Sequence, residues 1–527
     1  MPPKRQATAP KRNVGRPAAG AEKAPARRSA PAKAPEKEKE KVTTAGRKRK
    51  AEAIVDEQPA EKSTRGRKKK KDVVEKEKPI LTHAPTKRLD VYVFGSNCYG
   101  ELGLGDATKK AEITGPVLNP KMPADGLGLV HIVSGGVHSA ALTHDNRIMT
   151  WGVNDEGTLA RDTKEDKKSV EAREDESEDE DEVTQNLKEA TPGQVDASLF
   201  PEGTVFTQLE ATDSATFALT QEGLVYGWGT FRGNSGKIGF FEPDKKIQEK
   251  PALIPGVDNV IKLASGAQHM LALTASGLVY TWGCEEQFQL GRRLLGRVTS
   301  ANPLQPGLCA LPTKIVDIGA GSYHSFAVRQ NGAVYGWGSN NFGQTGIAAR
   351  AGESDAVVQY PTEVKPLRKH AAGAVTTVEG GKDHSLVVTE QGKCLIWGRI
   401  DNKALGLDPA TMAEEDVVQD DLGRARILKT PTLLPGIEGQ IVSVASGPDH
   451  SFAITKAGLA YSWGFNTNYQ AGQPHRDGNE DVERPTLLQN KHITGKKILF
   501  AATGGQFGML AGEHGQAVVD SPQTNGA

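Results

Sequence analysis

The chain has 527 residues, 65 Lys and Arg balanced by 65 Asp and Glu, 59 glycines and only 6% aromatic residues. Such a composition suits a turn-rich β protein with many small cores and argues against a helical bundle. No stretch approaches the ~20 apolar residues that crossing a bilayer requires, and the N-terminus has no apolar signal core, so a soluble intracellular protein without a membrane partner is expected.

The zero net charge hides an asymmetry. Residues 1–78 hold 25 Lys and Arg against 11 Asp and Glu and contain no Phe, Trp or Tyr. Such a segment cannot bury enough apolar surface to offset the entropy of ordering, so residues 1–87 are predicted to form a disordered basic tail. Its clusters are Lys4-Arg5, Arg47-Lys48-Arg49-Lys50 and Arg65-Gly66-Arg67-Lys68, the last running on through three more lysines. Such runs either neutralise nucleic-acid phosphates or serve as nuclear import signals; a merely solubilising tail is the plainer alternative.

From about residue 88 to 512 one pattern recurs. Its clearest copy is residues 318–346, where GSYH leads into the alternating run SFAV, an Asn331-Gly332 turn, a second alternating run AVYGWG and a glycine-punctuated loop. Alternation on both sides of Asn-Gly predicts a hairpin, because the turn needs positive φ. The aromatic-Gly mark appears at Phe94, Trp151, Trp228, Trp282, Trp337, Trp397 and Trp463. Seven units at propeller-like spacing predict an all-β, seven-bladed propeller. The first unit has only a second half, from Val91, and the last only a first half, from Ile498. Joining the two in one blade closes the ring and leaves no bare sheet edge. Residues 513–527 are expected to be a disordered C-terminus.

Three loops depart from the pattern. About residues 162–187 an acidic insertion, EAREDESEDEDE at its centre, is expected to project as a solvated loop, either a neutral insertion or a contact for basic surfaces. After Trp228-Gly229, the run TFRGNSGKIGFFEP replaces the usual short connection, and added length on a rigid scaffold is where function tends to sit. A third connection, CEEQFQLGRRLLGR, carries Arg292, Arg293 and Arg297.

Covalent chemistry has no signature here: there is no P-loop, no G-x-S-x-G and no H-E-x-x-H, so no cofactor and no metal are expected. Cys98, Cys284, Cys309 and Cys394 are scattered and read as reduced thiols. His138, His269, His324, His384 and His450 each hold the same place in their own unit. They are expected to be structural, hydrogen-bonded inside the blade, rather than ligands. Ala215 and Phe507 occupy the histidine's place in the two degenerate copies. Residues just before that place vary, and equivalent positions in a ring emerge on one face. Asp213, Gln268, Asp383 and Asp449 should therefore share a surface with Arg232, Glu242 and Arg292 on adjoining loops.

These units, together with GVNDEGTLARDT from Gly152, resemble the regulator-of-chromosome-condensation family, guanine-nucleotide exchange factors for the nuclear GTPase Ran. The resemblance covers roughly residues 88–512. It implies that residues 231–239, with Phe231, Arg232, Asn234 and Ser235, form a wedge against the GTPase near its phosphate-binding loop, bordered by Glu242. Asp213 and Arg292 match family residues on that face; Gln268 stands where the family has an acid, Asp383 where it has a histidine. The resemblance also implies docking on nucleosome histones and DNA, for which Arg292, Arg293, Arg297 and the tail are candidates, import receptors engaging the tail, and a monomeric protein in the nucleus on chromatin. A propeller-type chromatin adaptor without exchange activity is the alternative.

Overall fold

The computed structural model describes residues 79–164, 185–242, 245–293, 302–476 and 478–517; residues 1–78 of the predicted tail and the acidic run of the insertion lie outside them, whereas residues 79–87, also predicted as disordered tail, include a segment held on blade 2, where the Leu81 N–H donates to the Gln221 carbonyl at 2.7 Å. Each repeat folds into an antiparallel sheet. Blade 1 is built from Leu129–Ser134, His138–Thr143, Ile148–Gly152 and Gly193–Gln194; blade 2 from Phe206–Ala211, Ala215–Thr220, Val225–Gly229 and Gln248–Leu253. Blade 3 uses Val260–Ser265, His269–Thr274, Val279–Gly283 and Gly307–Leu308, and blade 4 uses Ile315–Ala320, His324–Arg329, Val334–Ser339 and Val357–Glu363. In blade 5, Val375–Gly380, His384–Thr389, Cys394–Arg399 and Ala425–Leu433 gain a fifth strand, Val417–Gln419; blade 6 comprises Ile441–Ser446, His450–Thr455, Ala460–Gly464 and Val482–Leu487. Blade 7 joins Lys496–Thr503 and Phe507–Ala517 to Leu89–Ser96 and Glu112–Leu118, with Val91 opposite Ala511 and Phe94 opposite Gly508.

The seven-bladed ring and its closure are thus as the repeat predicts. The closing strand runs past Gly512 to Ala517, held by Glu513, which pairs with Lys497 at 2.9 Å and Lys87 at 3.3 Å. Cys284, Cys309 and Cys394 are buried free thiols, and Cys98 is half-buried.

Close packing explains the repeat's fixed letters. Gly338 of Trp337-Gly338 has φ +106, and a Cβ there would stand 2.5 Å from the Tyr323 carbonyl oxygen, so only glycine fits. A Cβ on Gly321 would lie 2.1 Å from Cε1 of His324. Blade 2 has no imidazole, only Ala215, and there Thr212 replaces that glycine. The hairpin turn differs from the expectation. Only Gly332 is left-handed, at φ +79, with its N–H donating to the Arg329 carbonyl at 2.8 Å, so a longer loop with a glycine bulge replaces a tight two-residue turn.

The histidines are fully buried, but their bonds leave the blade. Nε2 of His138, His269, His324 and His384 meets the hydroxyl of Thr216, Ser325, Ser385 and Ser451, each in the next blade, at 2.7–3.0 Å. Ser325 Oγ in turn donates to the Gln289 carbonyl, which also accepts from Nε1 of Trp337. A hydroxyl that spends its proton on a carbonyl must accept from the imidazole, so His269 carries its proton on Nε2. The same argument fixes His138 and His324, whose partners Thr216 and Ser385 donate to the Thr158 and Gln344 carbonyls. Each such clasp ties two successive blades, and burial holds the ring nitrogens neutral by pushing their pKa down to about 3 or 4.

First strands from all seven blades line a central cavity of about 270 Å³. Its wall carries Lys262 paired with Asp317, beside Glu210 and Glu379. Burial outweighs the lysine and raises Glu210 to about 7 and Glu379 to about 8. Folded carboxyls that titrate above their unfolded value of 4.5 hold extra protons, so their contribution to stability is complete below that value and is lost as pH rises through 7 to 8. The buried histidines act oppositely: their contribution is complete above 6.5 and lost as pH falls toward 4. Thermal melting should therefore peak near pH 6.5 and decline toward pH 8.5. In Glu379→Gln that alkaline decline should be smaller; an unchanged decline would place its source elsewhere.

Candidate functional site

In the connection between Gly229 and Gln248, blade 2 raises a separate two-stranded hairpin of Phe231–Gly233 and Gly236–Gly239. Its base is aromatic. Phe231 stacks on Phe240 at 5.7 Å between ring centres, Phe217 lies 6.0 Å from Phe231, and Trp282 of blade 3 meets Phe217 edge-on. The expected place of Phe231 at the partner surface is thereby corrected: its ring is 0% exposed and belongs to the core. This stack stands where other joints have a clasp. Ala215 replaces the histidine and Met270 the hydroxyl, while Nε1 of Trp282 is buried without a partner. The degenerate copy in blade 2 is the foundation of the hairpin.

The upper part of the hairpin is braced from both neighbouring blades. Glu156, in the loop after Trp151-Gly152, accepts from Arg232 at 2.7 Å and sits 3.5 Å from Lys237. Glu286, in the loop after Trp282-Gly283, accepts from the backbone N–H of Asn234 at 2.9 Å. Gln268 accepts from the Arg232 N–H at 2.7 Å. Arg232 remains half exposed; Asn234 and Ser235 are exposed at the tip, and Glu242 is exposed beyond the second strand. Neither Glu156 nor Glu286 stood out in the sequence, where each reads as a solvated acid. Their places, within five residues after the Trp-Gly marks of the two blades that flank the hairpin, were the available signal.

Beside the hairpin, the variable positions line the mouth of the ring. Asp213 reaches solvent, yet the surrounding walls withhold hydration and push its carboxyl up to about 6 against the pull of Gln268 and Arg232. Tyr323 stands between Asp213 and Asp383, close enough for both charges to act on it. Asp383 is buried and pairs with Arg399 at 3.3 Å; the guanidinium lies over the ring of Phe342 at 5.0 Å and also bonds Asp401. Burial raises the Asp383 carboxyl and Arg399 opposes the rise. Asp449 accepts from Asn402 Nδ2 at 3.3 Å, and its second oxygen is buried and unpartnered.

Arg292 is turned inward. Its guanidinium donates to the carbonyls of Gln305 at 2.8 Å and Pro303 at 3.3 Å. Arg161 plays the same part in blade 1, donating to Thr150, Lys188 and Thr191 carbonyls, so the pair fastens outer strands. Arg293 is exposed. Arg297, Lys4, Arg5, Arg47, Lys48, Arg49, Lys50, Arg65, Arg67 and Lys68 lie outside the described residues.

This face offers a projecting hairpin and a mouth lined with acids. Comparison with known proteins gives the family. The family model for the RCC1-like domain matches residues 90–510. Protein pim1 of Schizosaccharomyces pombe is 41% identical over 428 residues, 81% of this chain and 75% of its own length. Guanine nucleotide exchange factor SRM1 of Saccharomyces cerevisiae is 35% identical, covering 80% and 87% of the two chains. The human regulator of chromosome condensation is 32% identical, covering 80% and 90%. Among solved structures, Prp20p from Saccharomyces cerevisiae, reported with its binding properties to Gsp1p and histones, superposes with a TM-score of 0.73 at 32% identity, over 84% of this chain and 94% of that one. The chain belongs to the RCC1-like family of seven-bladed propellers, alongside guanine-nucleotide exchange factors that work without covalent catalysis.

Proposed function

We propose that this chain accelerates GDP release from a Ran-type GTPase by gripping the nucleotide-free form with the face that carries the hairpin, its tip at residues 232–238 pressed against the phosphate-binding loop. The observation that carries this reading is a protruding hairpin anchored in the core by Phe231 and Phe240 and braced by carboxylates from both sides. An exchange factor needs no covalent step. By linkage, a protein that binds the empty GTPase more tightly than the loaded one weakens nucleotide binding by the same factor. Asp213 and Asp449 then hold basic or amide groups of the displaced region, with Asp383 already paired to Arg399 and Gln268 supporting the hairpin rather than the partner.

The tail and Arg293 serve chromatin: the tail through phosphate neutralisation and as a signal for an import receptor, which places the protein in the nucleus. Prp20p was characterised with histones, and yeast RCC1 (Prp20) has been crystallised with Kap60. Release of a fluorescent GDP from purified Ran, with and without the chain, tests the central claim; no acceleration over the intrinsic rate would refute it. Deleting residues 1–78 should leave that rate unchanged in solution while weakening DNA binding and flattening its dependence on salt.

Bracing gives a narrower expectation. Glu286→Ala frees the backbone of Asn234 at an exposed site, so melting should barely change while exchange falls roughly fivefold, the low end of typical coupling. Equal exchange rates would mean that the hairpin keeps its pose without Glu286.

A further inference from the structure

Seven blades make seven joints, and the histidine clasp closes four of them. The aromatic base of the hairpin replaces the clasp at the joint of blades 2 and 3. Two further joints, on either side of blade 7, have neither. Gly508 stands opposite His450 and offers no hydroxyl; Phe507 stands where an imidazole would reach Ser139. A hydroxyl could not be restored at Gly508, because a Cβ there would lie 2.5 Å from the ring of Phe94.

Where these two joints meet, a cavity of about 410 Å³ opens on the face that bears the hairpin. Tyr99 and Glu101 of blade 7, Val137 of blade 1, and Asp449, His450 and Phe465 of blade 6 line it. His450 is 1% exposed and its Nε2 has no partner; Oδ1 of Asp449 is likewise buried and unpartnered. Glu101 is buried, and burial raises its carboxyl. No lysine or arginine is among the lining residues. At its rim Tyr99 is 64% exposed and Val137 40% exposed, an uncovered apolar edge.

The chemistry of that lining is one-sided. With no hydroxyl demanding a proton, His450 can carry its hydrogen on Nδ1 and present Nε2 as an acceptor. Asp449 adds a free carboxylate oxygen, while the Glu101 oxygens are taken by the Ser96 hydroxyl and the Tyr99 N–H, so the unmet groups at the cavity are acceptors and a cation is the matching guest. Aromatic rings at Tyr99 and Phe465 suit the flat face of a guanidinium and the stem behind it. We propose that this cavity receives one basic side chain, an arginine by preference, from the GTPase that the hairpin engages. The proposal rests on the exchange-factor reading and adds a second anchoring point, two blades round the ring from the hairpin.

The test uses the full chain and nucleotide-free Ran, with binding measured by titration calorimetry. Asp449→Asn and, separately, the exposed and fold-neutral Tyr99→Ala should each weaken the complex roughly tenfold, as expected for loss of a buried charge contact or its cover. Alanine replacement of each exposed Arg and Lys of the GTPase should then reveal one whose loss costs about tenfold against the unaltered chain and almost nothing against Asp449→Asn. Undiminished affinity in both variants overturns the proposal while leaving exchange activity intact. Weakened binding with no coupled basic residue on the GTPase also overturns it, as does a loss that appears only when residues 1–78 are present, since the guest would then be the tail. If the unaltered chain neither binds Ran nor speeds GDP release, the exchange-factor reading itself has failed.

Discussion

Replacing residues 232–238 by a short Gly-Ser turn, with Phe231 and Phe240 retained, should bring GDP release from Ran down by roughly 100-fold, near the upper range of a coupling free energy between sites. The same change should leave the melting temperature almost unaltered. It removes the pair between half-exposed Arg232 and the mostly covered Glu156, and a pair whose cation stands in solvent contributes little to stability. Keeping the two phenylalanines is essential to the design. A deletion that begins at Phe231 would take a ring out of the core and confuse lost contact with lost folding. Stopped-flow release of a fluorescent nucleotide, run beside circular-dichroism melts, separates the two. Full exchange activity in the shortened protein would remove the hairpin from the mechanism.

Phe231→Ala is the complementary experiment, with its effect on stability. The ring is fully buried, flanked by Phe217 and Phe240 and lying in one core cluster with Trp282, so its loss leaves a cavity at a joint that already lacks the histidine clasp. Truncating a buried phenylalanine typically costs about 3–5 kcal/mol. The denaturant midpoint should fall accordingly, and Phe231→Leu should recover most of it. Exchange should fall as well, because the hairpin loses its seat. A midpoint within error of the original protein would mean that the blade 2–3 joint does not depend on the stack.

The frame of the molecule could be read from the sequence because it is set by local sterics that repeat. Trp337-Gly338 and its counterparts mark a strand end where only glycine fits, and Gly321-x-x-His324 marks an imidazole packed against a bare Cα. The half-units at Val91 and Ile498 announced closure. The residues around the hairpin were harder, because their roles depend on neighbours distant in the chain. Phe231 reads as part of a surface loop until Phe217 and Trp282 are brought against it. Arg292 reads as a surface cation until the carbonyls of Pro303 and Gln305 fold over it. The histidines read as satisfied within their own units, whereas the partner hydroxyl is 56 to 78 residues further on. Asp383 was found as a mouth residue, but Arg399, which neutralises it, belongs to a strand whose side-chain direction only the folded sheet reveals.

Blade 7 takes two strands from each end of the ring sequence, so six complete sheets can exist while the circle is still open. A nascent chain on the ribosome, or one truncated before Lys496, would present the strand Leu89–Ser96 without its mate and blade 6 without its neighbour. Both open borders carry unpaired backbone groups that would template pairing with another chain, and only the docking of Lys496–Thr503 and Phe507–Ala517 seals them.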